Sequence, residues 1–437
     1  CFGVVFGFTG NFFRAALPRW TAFLVTIFGA GFDWLAFPWE TLDPTSATPA
    51  DLKMADAHLF HAALTFPHYL ASITLLLILF WCALRLCHDA LGRGKFIALL
   101  FVGALAMNGV GLVYPFFLIL AGGVLGMYGI LLTWRAKKIL RRQTMILLAL
   151  SLAAAPLALY YAYAFASSEL LRVWAAQSQT LSPHPLHYAL TFAPYWILAA
   201  LVLRRDGLGD NQRLLLWAWV FVVALLIYAP SGAQRRFLQG VQIPLTLLAT
   251  FGLFEIVLPR LGAARWFQKL ARRPHYSADG LQKFCVTLFV LFVSLASLLL
   301  WLGAAMQNTL QQPYPFFRPR AEIQAMDWLR AHANPNDIIL SQYFSGSYLP
   351  LRSGARVYLG HVYETIHFQT KQNAVDQFFD SAMSDAARQE FLRANGITFV
   401  FYGPAERAVG TFDPARLSGL ERVYENANVA VYRIALP

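Results

Sequence analysis

Tyr69–Leu84 reads YLASITLLLILFWCAL, sixteen residues without a charge, and Arg85 closes it. Extended to Cys87, such a helix is about 28 Å long, close to the ~30 Å hydrocarbon core of a bilayer. Runs of the same kind recur on both sides of it, at about 20–37, 96–110, 114–134, 144–166, 187–203, 214–230, 241–258 and 282–304. From about Gln312 onward the composition is that of an ordinary soluble domain. The reading is an α-helical polytopic membrane protein with about nine spans in residues 1–311, and a C-terminal soluble α/β domain in residues 312–437.

Charge supports that division. Hydrophobic residues make up 58% of the chain and charged residues 13%, with a mean hydropathy of +0.50, far from the globular average. The formal net charge of +12 is confined to the membrane part, because residues 313–437 hold twelve acidic and twelve basic side chains. The excess sits in short loops: Arg14 and Arg19; Arg85, Arg93 and Lys95; Arg135 to Arg142; Arg204 to Arg213; Arg260 to Lys283. That is the positive-inside pattern rather than a nucleic-acid footprint, so no nucleic-acid partner is expected. Placing all five clusters on the cytoplasmic side puts the C-terminal domain outside the cytoplasm. The bilayer is the implied environment, and the cytoplasmic (inner) membrane the expected location.

Cys1, Cys82, Cys87 and Cys285 all lie in or beside apolar runs and fit no disulfide or zinc pattern. The chain begins at Cys1 inside the apolar run Cys1–Thr9, which is expected to be the remnant of a span whose start is missing.

In the C-terminal part, helices are expected over Glu322–Ala333 and Ser384–Asn395, the second capped by Ser384 and stopped by Gly396. Strands are expected at Asp337–Leu340, Arg356–Leu359, Ile397–Tyr402, Leu420–Tyr424 and Val429–Ile434, the last two as a hairpin. Together they suggest a small three-layer α/β domain. It contains no glycine-rich phosphate loop.

Chemistry is sought on the outer face. Loop Pro38–His68 carries Glu40, Asp43, Asp51 and Asp56 against the single cation Lys53, then His58, His61 and His68. A carboxylate here could serve as general base, or hold a divalent metal together with imidazoles; a solvated acidic loop fits the same charges. Loop Ser231–Gly240 holds Arg235 and Arg236, adjacent cations against the positive-inside trend. Guanidinium forks suit phosphate oxygens, and ordinary lipid headgroups would also satisfy them. In loop Ser167–Pro185, Trp174 and the run Ser182-Pro183-His184-Pro185 offer surfaces for a sugar, and Trp174 equally suits an interfacial belt. In the tail, Tyr343–Pro350 and Gly360–Thr365, with His361 and Glu364, follow predicted strands, where ligands often bind.

Certain short runs, Phe66-Pro67-His68, Gln234-Arg235-Arg236-Phe237, Ile243-Pro244-Leu245, Trp328-Leu329-Arg330, Gly360-His361 and Val429–Arg433, occur in an order that resembles the GT-C superfamily of membrane glycosyltransferases. The likeness is to bacterial members akin to protein-mannosyltransferases and aminoarabinose transferases. It implies transfer of a sugar from a polyprenyl-phosphate carrier to an acceptor at the outer face. In such enzymes the catalytic Asp or Glu lies in the first outer loop, which the resemblance places upstream of Cys1, so Asp43 and Asp56 are stand-in candidates. By the same analogy Arg235 and Arg236 hold the donor phosphate, while His68, Trp174, His184, His361 and Glu364 contact acceptor or sugar. Two rivals remain: a flippase for a lipid-linked sugar, which would need ionisable groups such as Glu255 or Asp33 within spans, and a non-catalytic envelope binding protein.

Overall fold

The computed structural model describes residues 1–36 and 48–435. Glu40 and Asp43 therefore lie outside the described residues. Contacts divide the chain into two compact units: Cys1–Ser167 with Gln179–Ala304, and Ser168–Ser178 with Ala305–Pro437. The junction falls a few residues before the expected 311/312, inside helix Leu295–Leu310, and a short piece of the 167–185 loop joins the second unit.

The first unit is helical. Most expected apolar runs fall on a helix or a bent helix pair, but the run 20–37 is helical only to Phe28 and continues as a loop and a 3₁₀ turn, Asp33–Ala36. Pro67–His88, Arg93–Val113, Phe117–Ala136 and Gln242–Ala263 are long and apolar enough to cross a membrane. Counting each bent pair as one span raises the number to seven: Arg141–Leu152 with Ala155–Ser167 (42°), Pro185–Thr191 with Ala193–Asp206 (81°), and Ala278–Val293 with Leu295–Leu310 (48°). Ala16–Phe28 and Arg213–Leu226 are apolar but shorter. The run 96–110 lies within one long helix, Arg93–Val113, with Asn108 satisfied by the Ala104 and Ala153 carbonyls, as a polar group in hydrocarbon requires.

Pro67–His88 is the central element, and Leu76, Leu77, Leu79, Phe80, Cys82, Ala83 and Leu86 are all buried. Every residue of Gln242–Gly252 is buried as well. Gly252 allows close approach there, since a Cβ would lie 2.4 Å from the Leu198 carbonyl oxygen. The turn that follows, Leu253–Val257, is a π-helix. Its Glu255 is held by Arg213 through two bonds of 2.5 and 3.2 Å. It is thus a paired structural charge rather than the open ionisable group a transport pathway needs.

The second unit has a five-stranded mixed sheet: β1 (Ile338–Leu340), β2 (Arg356–Val357), β3 (Phe399–Tyr402), β4 (Leu420–Glu425) and β5 (Ala430–Ile434), in the order β2-β1-β3-β5-β4. β1 is parallel to β2 and β3, and β5 is antiparallel to β3 and β4. The strand period of two sends Phe399 and Phe401 to one face, against Met326 and Leu329 of helix Arg320–His332. Val400 and Tyr402 go to the other face, against Phe378 and Phe379 of helix Phe368–Phe379 and Leu392 of helix Asp385–Ala394. The unit is a three-layer sandwich. Helix Phe368–Phe379 carries no cap or stop in the sequence, and only its packing reveals it.

Candidate active site

The acidic loop is organised by its own carboxylates. Asp51 accepts from the Gly31 N–H and the Trp34 N–H, both at 3.1 Å, and its Oδ1 lies 2.8 Å from His58 Nε2. Asp33 accepts from the Ala50 N–H at 2.5 Å, and His187 Nδ1 lies 2.9 Å from its Oδ1. Both carboxylates are buried, and both satisfy backbone donors that would otherwise be stranded. Gly31 is required here, because a Cβ would lie 1.8 Å from the Thr191 carbonyl oxygen. Gln242 completes the frame, donating to the Gly29 carbonyl at 2.5 Å and accepting from the Leu59 N–H at 2.7 Å.

This frame positions Asp56 in the turn between two short helices, Ala50–Lys53 and Leu59–Thr65. Unlike Asp51, Asp56 keeps partial access to solvent. Its Oδ1 accepts from Gln239 Nε2 at 3.0 Å, and the same amide nitrogen lies 3.1 Å from Tyr114 Oη. The Tyr69 hydroxyl adds a hydrogen bond. Burial raises the Asp56 carboxyl above the ordinary aspartate value, opposed by the Gln239 bond and by the charges of Arg235 and Arg236.

The arginines sit on a 3₁₀ turn, Gln234–Leu238. Two chain segments are laced together beneath it: the Arg235 N–H donates to the Thr180 carbonyl at 3.0 Å, and Gln234 Oε1 accepts from the Ser182 N–H at 2.9 Å. Arg236 Nε donates to Thr180 Oγ1 at 3.3 Å, and its guanidinium lies 4.8 Å from the Phe116 ring centroid. Arg235 Nε is buried with no hydrogen-bond partner among the described residues. Half-buried guanidinium groups held from behind are suited to an anion approaching from solvent.

His68 joins this group through aromatic contacts, its ring 4.6 Å from Tyr69 and 6.0 Å from Tyr114. Asp56, Arg235, Arg236 and His68 therefore come together. His184 does not share their contacts; it is exposed and caps helix Pro185–Thr191 through Nδ1, which accepts from the Leu186 N–H at 3.3 Å. Trp174, on helix Glu169–Gln177, and His361 and Glu364, in the turn after β2, belong to the second unit. The spacing Asp56, His58, His61 does not converge on a metal: His58 turns to Asp51, and among the described residues no three His, Cys, Asp or Glu side chains form such a group. Burial, with His58 nearby, pushes His61 down to about 4, so it is neutral near pH 7. Gln239, Tyr69, Tyr114 and Thr180 were not foreseen as site residues. Gln239 had a signal, since it closes the loop that carries the arginine pair.

The model of a family of unknown function, DUF6541, matches residues 57–436. No curated protein matches the chain. Among solved structures, ArnT from Cupriavidus metallidurans in the apo state is similar, with 11% identity and a TM-score of 0.55 over 99% of this chain and 81% of that one. The same protein bound to undecaprenyl phosphate aligns over 95% of this chain and 83% of that one, with 11% identity and a TM-score of 0.45. Arabinofuranosyltransferase AftD from Mycobacteria has 16% identity and a TM-score of 0.53 over 96% of this chain, which spans 31% of AftD. The fold is the one seen in ArnT and AftD, the GT-C fold, and the apolar helices fit a multi-pass membrane protein.

Proposed function

The chain belongs to the DUF6541 family, and from that premise we propose that it transfers a glycosyl group from a polyprenyl-phosphate donor to an acceptor at the outer face of the cytoplasmic membrane. One observation carries the reading: Asp56, a partly exposed carboxylate, lies near enough to the half-buried pair Arg235 and Arg236 for both charges to act on it. The GT-C fold is consistent with it.

In this reading Asp56 accepts the proton of the acceptor hydroxyl or amine. The acceptor heteroatom bonds to the anomeric carbon as the bond from that carbon to the phosphate oxygen breaks. Polyprenyl phosphate departs with the electron pair, and Arg235 and Arg236 stabilise the charge that builds on its oxygens. Gln239 and Tyr69 orient the carboxylate. Burial raises its pKa and makes it a stronger base than an exposed aspartate, while the charges of Arg235 and Arg236 oppose that rise.

The test is label transfer in membranes supplied with radiolabelled polyprenyl-phosphate sugars, comparing wild type, Asp56→Asn and the double variant Arg235→Ala/Arg236→Ala. Transfer that falls at least about 100-fold in Asp56→Asn is expected, from the usual contribution of a general base. Undiminished transfer in both variants would remove this site from the reaction. Absence of transfer from every donor in the wild type would end the glycosyltransferase reading.

A further inference from the structure

Between Asp89 and Glu169 the chain holds no acidic residue, yet residues 135–142 carry five cations: Arg135, Lys137, Lys138, Arg141 and Arg142. All five are exposed. Arg142 leans over the Phe96 ring, 5.9 Å from its centroid. The side chains of the other four have no hydrogen bond or ion pair among the described residues. These cations frame the turn between helices Phe117–Ala136 and Arg141–Leu152. A groove with a volume of about 490 Å³ runs between the same two helices, walled by Ile130, Trp134, Ile139 and Leu148. Gly126 and Gly129, one turn apart, leave its floor without side chains. A Cβ on Gly129 would lie 3.3 Å from Leu147 Cδ1, whereas one on Gly126 would meet nothing within 4 Å. Ser151, also in the lining, spends its hydroxyl on the Leu147 carbonyl at 2.8 Å. From Leu125 to Trp134 the groove follows its helix for about 14 Å, close to the depth of one leaflet, which is half of the ~30 Å core.

We infer that this groove holds one acyl chain of an anionic phospholipid, whose headgroup phosphate is bound by Lys137, Lys138 and Arg141. The turn that carries the two lysines joins lining residues Trp134 and Ile139, and Arg141 follows directly, so charge and groove meet at one end. Charge complementarity selects the occupant. Cations without acidic partners, beside an apolar groove one leaflet deep, match a lipid that is negative at one end and hydrocarbon at the other. The lysine ammonium groups bind a phosphate as point charges, and the fork of Arg141 holds it bidentately. Trp134, 69% exposed, is the amphipathic ring expected at headgroup depth. A zwitterionic lipid has the same chains but brings its own cation, and an apolar helix from another chain brings no phosphate. The inference rests on the membrane setting of these helices and not on the proposed reaction.

The test uses the full chain purified in mild detergent and given equal amounts of phosphatidylglycerol and phosphatidylcholine with matched chains. Bound lipid is counted by native mass spectrometry. The wild type is expected to retain phosphatidylglycerol over phosphatidylcholine by at least about tenfold. In Lys137→Gln/Lys138→Gln/Arg141→Gln the ratio is expected to fall to within about twofold, because the charges that distinguish the headgroups are gone. Gly126→Phe fills the floor and is expected to lower phosphatidylglycerol binding about tenfold. Its unfolding temperature without lipid is expected to match the wild type, since a side chain there enters open space. Equal retention of the two lipids by the wild type would overturn the inference. So would a preference that survives in the triple variant, which would place the anionic lipid elsewhere. A dimer that Gly126→Phe dissolves would also overturn it, by showing that a second copy fills the groove. The triple variant changes only exposed side chains, so it decides the matter even where Gly126→Phe fails to fold.

Discussion

Gln239 Nε2 lies 3.0 Å from Asp56 Oδ1, a bond that spans 183 residues of chain. It makes Asp56 and the arginine turn parts of one structure, since Gln239 directly follows the turn Gln234–Leu238.

Replacing Gln239 by leucine removes a donor that holds the Asp56 carboxyl down. With burial unopposed by that bond, the folded pKa rises, so a higher pH is needed to ionise the base. The acid limb of a transfer-rate profile is expected to move to higher pH, and the rate at neutral pH to fall about tenfold, the usual worth of one charged hydrogen bond. An unmoved acid limb would show that Asp56 is not the titrating group.

Arg236→Lys keeps the charge but loses the planar fork. Relative to Arg236→Ala, it is expected to restore the acid limb of the pH profile, because the nearby charge returns. The KM for the lipid-phosphate donor is expected to stay raised by about tenfold. Steady-state kinetics over donor concentration and pH separate the two effects.

His61 is pushed down to about 4 by burial, against an ordinary value near 6.5. Between those values the unfolded chain binds more protons than the folded one, so stability is present above pH 6.5 and is lost as pH falls toward 4. The loss is on the order of 3 kcal/mol from the shift alone. Thermal unfolding in detergent is expected to show a drop in Tm over that window, and His61→Gln to flatten it.

Asp51 accepts from two backbone N–H groups and pairs with His58. Asp51→Ala strands these buried partners, at about 1–3 kcal/mol for each unsatisfied group. Global unfolding temperature and expression are expected to fall much further than in Asp56→Asn, whose carboxylate frames no backbone. Equal thermal losses in the two variants would contradict this division of roles.

Much of the architecture was legible in order along the chain. Apart from 20–37, of which only the part up to Phe28 is helical, the apolar runs fall on helices or bent pairs, because a stretch that must bury its backbone in hydrocarbon shows its length and lack of charge locally. The strands of the second unit were found within two residues or so, since Gly396, Pro335 and the alternation at Phe399–Tyr402 are local signals. Helix Phe368–Phe379 was not found; Val375, Phe378 and Phe379 identify it only through the core they fill.

The sequence by itself determined that this is a chain of apolar helices with a mixed α/β unit, and that one outer loop is acidic and another carries paired arginines. Those are properties of neighbours in sequence: hydropathy, period and charge. Only tertiary structure decided that Asp33 and, in that loop, Asp51 are spent on backbone N–H groups, while Asp56 is bonded to Gln239 and feels the charges of Arg235 and Arg236. Hydrogen bonds between segments more than a hundred residues apart depend on how the helices that carry these loops pack. No local pattern encodes which of several similar carboxylates that packing leaves open.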